Sequence, residues 1–208
     1  MIENFEERWR SIVSKKIYGK MIFSSSPDRG LGTVLYLLPF IKEHVPEVTL
    51  DIYYGFDLWR ACAQSKNDTT ALKQIDECMR TIDSLSYVKY HGKIPEPQLA
   101  KQQLTSYCWL YFDSFHETHC ITANQFQLSA TPSVTSNVGA LQTTVGEYGI
   151  RILHHPGSRE GRQQAVDEVV KLHKDRKYWE LWSKNALSGT RVVDWESRYK
   201  KHWKPFLD

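Results

Sequence analysis

The sequence is poor in cysteine, and its cysteines lack the spacing of a metal site. Only four of the 208 residues are cysteines, and no two of them form a C-x-x-C pair. Cys108 and Cys120 stand among apolar neighbours, where a free thiol packs as a small hydrophobic side chain. We therefore expect the protein to work in a reducing compartment without a cysteine-bound metal ion.

Long apolar runs and a strong charge of one sign are also missing. The longest apolar stretch, residues 34–41, is about half of the roughly 18 residues that cross a bilayer. Residues 1–7 are acidic, whereas a signal peptide begins with basic residues. The net charge of +3 is smaller than a dedicated nucleic-acid-binding domain usually carries. We expect a soluble, cytoplasmic protein with no transmembrane segment and no nucleic-acid partner.

The sequence does contain a regular alternation of strand and helix patterns. Strands are predicted from short β-branched or aromatic runs, and helices from apolar residues three and four apart. The predicted strands cover residues 21–23, 48–55, 87–90, 108–112, 132–136 and 149–153. The predicted helices cover residues 2–16, 31–45, 71–82, 96–106 and 119–129, and the pattern is helical from residue 159 onward. Pro39 is expected to bend the helix over 31–45 or to end its first half.

This alternation predicts an α/β fold with right-handed crossovers and a parallel sheet. We predict a single Rossmann-like domain over residues 1–208, with about six strands in a core over about 20–153 and a helical C-terminal tail over about 159–208. A chain of this length buries enough apolar surface to fold without disulfides or metal. A dinucleotide-dependent oxidoreductase is disfavoured, because no G-x-G-x-x-G motif follows the first strand.

Ligands of an open parallel sheet bind at the carboxyl ends of its strands. The loops at these ends cover residues 24–30, 54–57, 91–94, 113–119 and 136–140. Small residues beside Arg29, at the start of a predicted helix, suit a phosphate group. Glu117, before another predicted helix, suits a hydroxyl-rich group such as a sugar. For any one loop, a tight turn explains the small residues equally well.

Three stretches carry a resemblance to a known family. They are IFSSSPDRGL at residues 22–31, VKYHGKI at 88–94, and a longer block over 109–146 that contains FHETHCITA and ATPSVTSNVGAL. In this order they resemble the C-terminal, nucleotide-sugar-binding domain of GT-B glycosyltransferases of the group 1, family 4-like kind. The resemblance covers about residues 20–153. It implies that the chain is one half of a GT-B architecture.

The resemblance also implies a donor site with named residues. Arg29 would pair with the diphosphate, and Glu117 would hold the hydroxyls of the transferred sugar; these are the two predicted catalytic residues. The other predicted donor-binding residues are Ser25 and Gly30 beside the diphosphate, Lys93 and Ile94 beside the nucleobase, His91 and Gly92 in the same loop, His119, Cys120, Ile121 and Thr122 at a helix N-terminus, and Gln125. A structural role is equally open for His91.

The chain departs from the family pattern in three respects. Gln125 stands where the family has a second glutamate that holds the ribose, and glutamine can form that hydrogen bond only without the charge. The first basic residue of the family's opening loop is replaced within residues 24–26. The acceptor-binding half has no counterpart, so an N-terminal acceptor domain or a partner chain is expected to supply it.

Two functions follow from these observations. The favoured one is a metal-independent glycosyltransferase domain that transfers a hexosyl or deoxyhexosyl group from a UDP- or GDP-linked donor to a glycan or other acceptor, without a further cofactor. The alternative is a non-catalytic module that binds a nucleotide sugar or a protein. A metal site at His116 and His119 is disfavoured, because their spacing is not that of a zinc motif.

Tryptophans are concentrated near the C-terminus, among basic residues. Four of the seven are Trp179, Trp182, Trp195 and Trp203. Aromatic rings between basic residues can stack on single-stranded nucleic acid. The favoured interpretation is that helices pack these rings on the sheet while the charges face water.

Overall fold

Six short parallel strands form the centre of the protein, for which a computed structural model describes residues 4–189 and Lys204. Their side chains are mostly buried, because helices cover both faces of the sheet. The strands are β1 (Lys20–Phe23), β2 (Thr49–Ile52), β3 (Val88–Tyr90), β4 (Trp109–Tyr111), β5 (Ser133–Ser136) and β6 (Ile150–Ile152). The predicted α/β class and the six parallel strands are confirmed.

The strands form two three-stranded sheets that meet edge to edge. One sheet has the order β1-β2-β3, with Met21 opposite Leu50, and the other has the order β4-β5-β6, with Leu110 opposite Val134. A parallel bridge between Met21 and Cys108 joins the two sheets. The combined order is β3-β2-β1-β4-β5-β6, the order of a doubly wound Rossmann fold. The direction of winding reverses between β1 and β4, and ligands bind outside the carboxyl ends of the strands at such a point.

Helices form a layer on each face of the sheet. They are α1 (Phe5–Val13), α2 (Leu31–His44), α3 (Asp57–Ser65), α4 (Thr69–Ser84), α5 (Glu96–Thr105), α6 (Ile121–Leu128), α7 (Leu141–Thr144), α8 (Arg159–Lys174) and α9 (Arg176–Ser188), with a 3-10 turn over Gly146–Tyr148. Helix α2 packs against α4 and α8, whereas α6 packs against α5 and α9. Among the described residues, no helix combines the length and the apolar character needed to cross a membrane.

One predicted helix contains a proline, and another helix was not predicted. Helix α2 continues through Pro39 to His44, so Pro39 does not end it. Leu38 and Ile41, on either side of the proline, are fully buried, and this burial outweighs one missing backbone hydrogen bond. Helix α3 was not predicted. Ala63 is its only buried residue, and Trp59, four residues earlier on the same side of the helix, packs partly buried against the core.

Aromatic residues fill the core on the side of α6 and α9. Trp109 stacks on Phe126, with ring centroids 4.8 Å apart, and Trp179 stacks on Tyr107 at 4.7 Å. The indole N–H of Trp179 donates to the carbonyl oxygen of Tyr107 at 2.8 Å. The prediction that the tail tryptophans pack on the domain is confirmed for Trp179. Trp195 and Trp203 lie outside the described residues.

Candidate functional site

The loops that follow β1 and β4 meet where the strand order reverses. An Nη1 atom of Arg29, in the loop after β1, lies 3.5 Å from Oε2 of Glu117, in the loop after β4. The two loops pack closely, because a Cβ atom on Gly30 would lie 2.7 Å from Cβ of Asp113. Gly30 also has a φ of +93°, which favours glycine. The two residues predicted to be catalytic are therefore neighbours.

The guanidinium group of Arg29 is held in place but remains reachable. Its Cζ atom lies 4.4 Å from the ring centroid of Phe115, and its side chain is 40% exposed. Its Nε atom is buried and has no hydrogen-bond partner among the described residues. Since a guanidinium carries five N–H donors and only one nitrogen faces Glu117, Arg29 keeps donors for an anionic ligand.

The carboxylate of Glu117 is buried and oriented by a strand residue. Its side chain is only 6% exposed, and the hydroxyl of Tyr111 in β4 donates to its Oε1 atom at 2.5 Å. Burial raises the pKa of Tyr111 well above its ordinary value, and the hydrogen bond and the charge of Glu117 raise it further. The phenol therefore stays protonated and remains a donor. Oε2 of Glu117 is the oxygen that faces Arg29.

The loop after β5 supports the backbone of Glu117. The amide of Ala140 donates to the carbonyl oxygen of Glu117 at 2.8 Å. Gly139 has a φ of +56°, and a Cβ atom there would lie 2.7 Å from the same oxygen. Glycine is needed at this position for its conformation and for the close approach. The position of Glu117 thus depends on a residue more than twenty positions away in the chain.

Helix α6 begins beside this pair. Cys120 is its N-cap in a left-handed conformation, and no side chain caps the helix, so its first amides are available to an anion. Burial raises the pKa of the Cys120 thiol to about 12, which keeps the thiol neutral. The hydroxyl of Ser25 lies 3.4 Å from that of Thr122. The helix starts at Ile121, two residues after the predicted start at about residue 119.

Gln125 belongs to a buried network that the sequence did not reveal. Nε2 of Gln103, in α5, donates to Oε1 of Gln125 at 2.9 Å and to the hydroxyl of Ser24 at 3.1 Å. Gln103 is only 3% exposed. In the sequence, a glutamine at an apolar position of a predicted helix is the signal that could have identified Gln103. The network ties the start of the first loop to α5 and α6.

The predicted nucleobase residues follow β3, two strands from Arg29. Nε2 of His91 lies 2.8 Å from Oδ1 of Asp51, and its ring stacks on Tyr53 with centroids 4.5 Å apart. Gly92 adopts a φ of +67°, Lys93 is exposed and Ile94 is half-buried. Strand spacing puts β3 about 10 Å from β1. Only an elongated ligand can therefore contact both Arg29 and the residues that follow β3.

His119 does not form a metal site with its neighbours. Its Nε2 atom lies 3.0 Å from the side-chain amide of Asn124. Across residues 4–189 and Lys204, no three His, Cys, Asp or Glu side chains are grouped so that they could hold a metal ion. The loop after β1 has serines where the pattern of the similar family has its first basic residue. One of these serines, Ser24, is buried.

Comparison with known proteins identifies the fold. No protein-family model and no curated protein sequence matches the chain. The C-terminal domain of a glycosyl transferase group 1 family protein (LpcC) from Francisella tularensis matches with a TM-score of 0.56 and 16% identity, over 96% of this chain and 93% of that one. HepE of Anabaena, solved in complex with UDP and glucose, matches with a TM-score of 0.62 and 16% identity over 88% of this chain.

A third solved structure has the same fold. The α,α-trehalose-phosphate synthase (UDP-forming) of Burkholderia vietnamiensis matches with a TM-score of 0.63 and 11% identity over 88% of this chain. The chain spans 46% of the length of HepE and 40% of the length of the synthase, but nearly all of the LpcC domain. The chain therefore has the Rossmann-like fold of the C-terminal domain of GT-B glycosyltransferases.

Proposed function

We propose that the chain is the donor-binding domain of a glycosyltransferase and that it binds a UDP-linked sugar where the loops after β1 and β4 meet. The observation that carries this proposal is the pair of Arg29 and Glu117 at the reversal of strand order. One is a cation with spare N–H donors, and the other is a buried carboxylate held by Tyr111. UDP is favoured over GDP because HepE was solved with UDP and glucose.

In this proposal the diphosphate binds Arg29 and the first amides of α6. Both are fixed before the donor arrives, so they stabilise the negative charge that develops on the departing diphosphate. Ser25 and Gly30 leave room for the phosphates, and His119, Cys120, Ile121 and Thr122 supply the start of the helix. Since this charge is met by protein groups, we propose transfer without a metal ion or a further cofactor.

The sugar and the nucleoside occupy opposite ends of the proposed site. Oε2 of Glu117 accepts hydrogen bonds from the hydroxyls of the hexosyl or deoxyhexosyl group. Gln125 lies toward the ribose, and His91, Gly92, Lys93 and Ile94 lie toward the nucleobase.

The proposed compartment is the cytoplasm. The four cysteines are free thiols, as is usual for proteins in that reducing compartment.

The acceptor side of the reaction is supplied from outside the described domain. The chain spans less than half of HepE, so an N-terminal acceptor domain or a partner chain would hold the glycan acceptor. A non-catalytic binding module is the second candidate. It is favoured by Gln125, whose side-chain oxygen already accepts a hydrogen bond from Gln103 and is a weaker ribose ligand than a carboxylate.

Calorimetric titration with UDP and with UDP-glucose tests the proposal. Arg29→Ala should weaken the binding of both ligands about tenfold or more, because it removes a charge-assisted contact with the diphosphate. Glu117→Gln should weaken UDP-glucose binding and leave UDP binding unchanged. Arg60→Ala is the matched control, since Arg60 forms an exposed ion pair with Asp76 elsewhere. Wild-type affinities in both site variants would refute the assignment.

A second measurement separates the two candidates. Slow release of UDP from UDP-glucose by the chain alone, abolished by Arg29→Ala, would support the glycosyltransferase domain. Tight binding of UDP-glucose with no release of UDP, even when an acceptor domain is added, would favour the non-catalytic module.

A further inference from the structure

A second cleft lies between α2 and α4, with α3 at its side. Its volume is about 660 Å³. Tyr36 and Phe40, one turn apart on α2, line it and are 54% and 45% exposed. Their ring centroids are 5.6 Å apart, and Trp59 of α3 lines the cleft as well. Exposed aromatic rings grouped in this way are unusual on a solvated helix, and such a patch marks a binding surface.

The remaining lining of the cleft is mixed, with apolar residues that include Leu35 and Pro39 and a polar, acidic part. Helix α4 contributes Gln74, Glu77 and Thr81, and the loops after β1 and β4 contribute Asp28 and Asp113. The described residues that line the cleft include three carboxylates and no lysine or arginine, but the guanidinium group of Arg162 is close by, since its Cζ atom lies 5.2 Å from the ring centroid of Tyr36 at the edge of the cleft. Carboxylate and amide oxygens accept hydrogen bonds from hydroxyl groups, whereas they repel phosphates, sulfates and nucleic acids.

These features together define the chemistry of the ligand. Aromatic rings offer flat, electron-rich faces to the weakly positive C–H groups of a sugar ring, and the carboxylates accept from its hydroxyls. The volume lies in the range of roughly 300–1,000 Å³ that is typical of small-molecule sites. We propose that the cleft between α2 and α4 binds a neutral oligosaccharide.

The position of the cleft gives this oligosaccharide a role, which rests on the proposed function. Gly30 and Asp113 line one end of the cleft, and Gly30 directly follows Arg29. An oligosaccharide in the cleft therefore ends beside the proposed donor site. The cleft would hold the chain of the acceptor glycan on this domain, while the groups that take part in transfer come from the acceptor domain.

Nuclear magnetic resonance of the full chain tests this inference. The neutral probes are maltotriose, mannotriose and triacetylchitotriose, and a sulfated heparin tetrasaccharide is the anionic comparison. At least one neutral probe should shift the amide resonances of α2 and α4 and the indole resonance of Trp59. The variant Tyr36→Ala/Phe40→Ala should weaken that binding about tenfold or more through the loss of both ring faces. Phe5→Ala, at a 41% exposed aromatic residue on α1, is the matched control.

The outcomes are distinct. The inference is wrong if no neutral probe moves the resonances of the cleft, if the double variant binds as tightly as the wild type, or if the heparin tetrasaccharide binds there equally well. A cleft that responds only to an added acceptor domain would also overturn it in favour of a protein interface. Titration with UDP tests the proposed donor site separately. If UDP does not bind, the result for oligosaccharide binding in the cleft is unaffected.

Discussion

The hydroxyl of Tyr111 donates a hydrogen bond of 2.5 Å to Oε1 of Glu117, and both side chains are almost completely buried. Tyr111 is the last residue of β4, so the sheet itself orients the carboxylate. The other oxygen, Oε2, lies 3.5 Å from Nη1 of Arg29. One oxygen of Glu117 is thus held by the sheet, and the other faces the guanidinium group of Arg29.

Tyr111→Phe should therefore weaken the binding of a nucleotide sugar without changing the binding of UDP. The substitution removes a hydrogen bond to a buried charged group, which contributes about 1.5–3 kcal/mol to the stability of the fold, and it leaves the carboxylate of Glu117 without the partner that orients it. Since Glu117 is proposed to contact the sugar and not the diphosphate, only UDP-glucose should show the loss of affinity. Calorimetric titration with both ligands measures the difference.

Tyr178→Phe is the matched control for this variant. The hydroxyl of Tyr178 donates to Oε2 of Glu168 at 2.7 Å, so the chain contains a second tyrosine–glutamate pair on α8 and α9. This variant should change neither ligand affinity. Equal losses of UDP and UDP-glucose affinity in Tyr111→Phe would show that the residue supports the whole domain instead of orienting Glu117.

Gly139→Ala should displace Glu117 and destabilise the fold. A Cβ atom at this position would lie 2.7 Å from the carbonyl oxygen of Glu117, and the φ of +56° is itself unfavourable for alanine. The conformation alone costs about 1–2 kcal/mol, and the clash adds to this. Urea unfolding should show a free-energy loss above that range, and UDP-glucose affinity should fall.

Gly146→Ala separates the clash from the conformational strain. Gly146 has a nearly identical φ of +54°, but the nearest atom to an added Cβ would be Cδ2 of Tyr148 at 3.9 Å. This variant should lose only the conformational cost of about 1–2 kcal/mol and keep its ligand affinity. If both glycine variants lost the same free energy, the contact between Gly139 and Glu117 would have no effect of its own.

Sequence reasoning recovered the strands and the loops at their carboxyl ends for the same reason. Buried parallel strands are short continuous apolar runs, and the residues after them must lie at one edge of the sheet. This rule selected the loops that carry Arg29 and Glu117, and the family resemblance then singled out these two residues. The rule could not select Tyr111 or Gln103, because their partners depend on how the strands and helices dock. The pairs of Gln103 with Ser24 and of Asp51 with His91 join residues far apart in the chain.

Gln125→Glu should strengthen the binding of UDP. Nε2 of Gln103 donates to Oε1 of Gln125 at 2.9 Å, and a carboxylate can accept the same hydrogen bond with one of its oxygens. Its second oxygen would then be available to the ribose, with the strength of a charged acceptor. We expect UDP affinity to rise about tenfold with no loss of stability, because a hydrogen bond to a charged acceptor is about twice as strong as a neutral one.

Gln127→Glu is the contrasting variant on the same helix. Nε2 of Gln127 donates to the carbonyl oxygen of Thr144 at 2.8 Å, and a carboxylate cannot replace that donor. This variant should lose stability and gain no affinity for UDP. Unchanged UDP binding in Gln125→Glu would place the ribose away from residue 125.

His173 should make the fold less stable below neutral pH. Burial lowers the pKa of His173 below its ordinary value of 6.5, although the carbonyl of Val169 and the charge of Glu47 act in the opposite direction. Below about pH 6.5 the unfolded chain therefore binds a proton more readily than the folded protein, and the free energy of unfolding falls as the pH decreases. One such proton changes this free energy by up to about 1.4 kcal/mol per pH unit.

Urea unfolding at a series of pH values from about 7.5 down to about 5, on both sides of the ordinary histidine pKa, measures this slope. The slope should be shallower in His173→Gln than in the wild type, because the variant lacks the buried imidazole that must take up a proton. His44→Gln, at an exposed histidine, should keep the wild-type slope. An unchanged slope in His173→Gln would show that His173 does not cause the acid sensitivity.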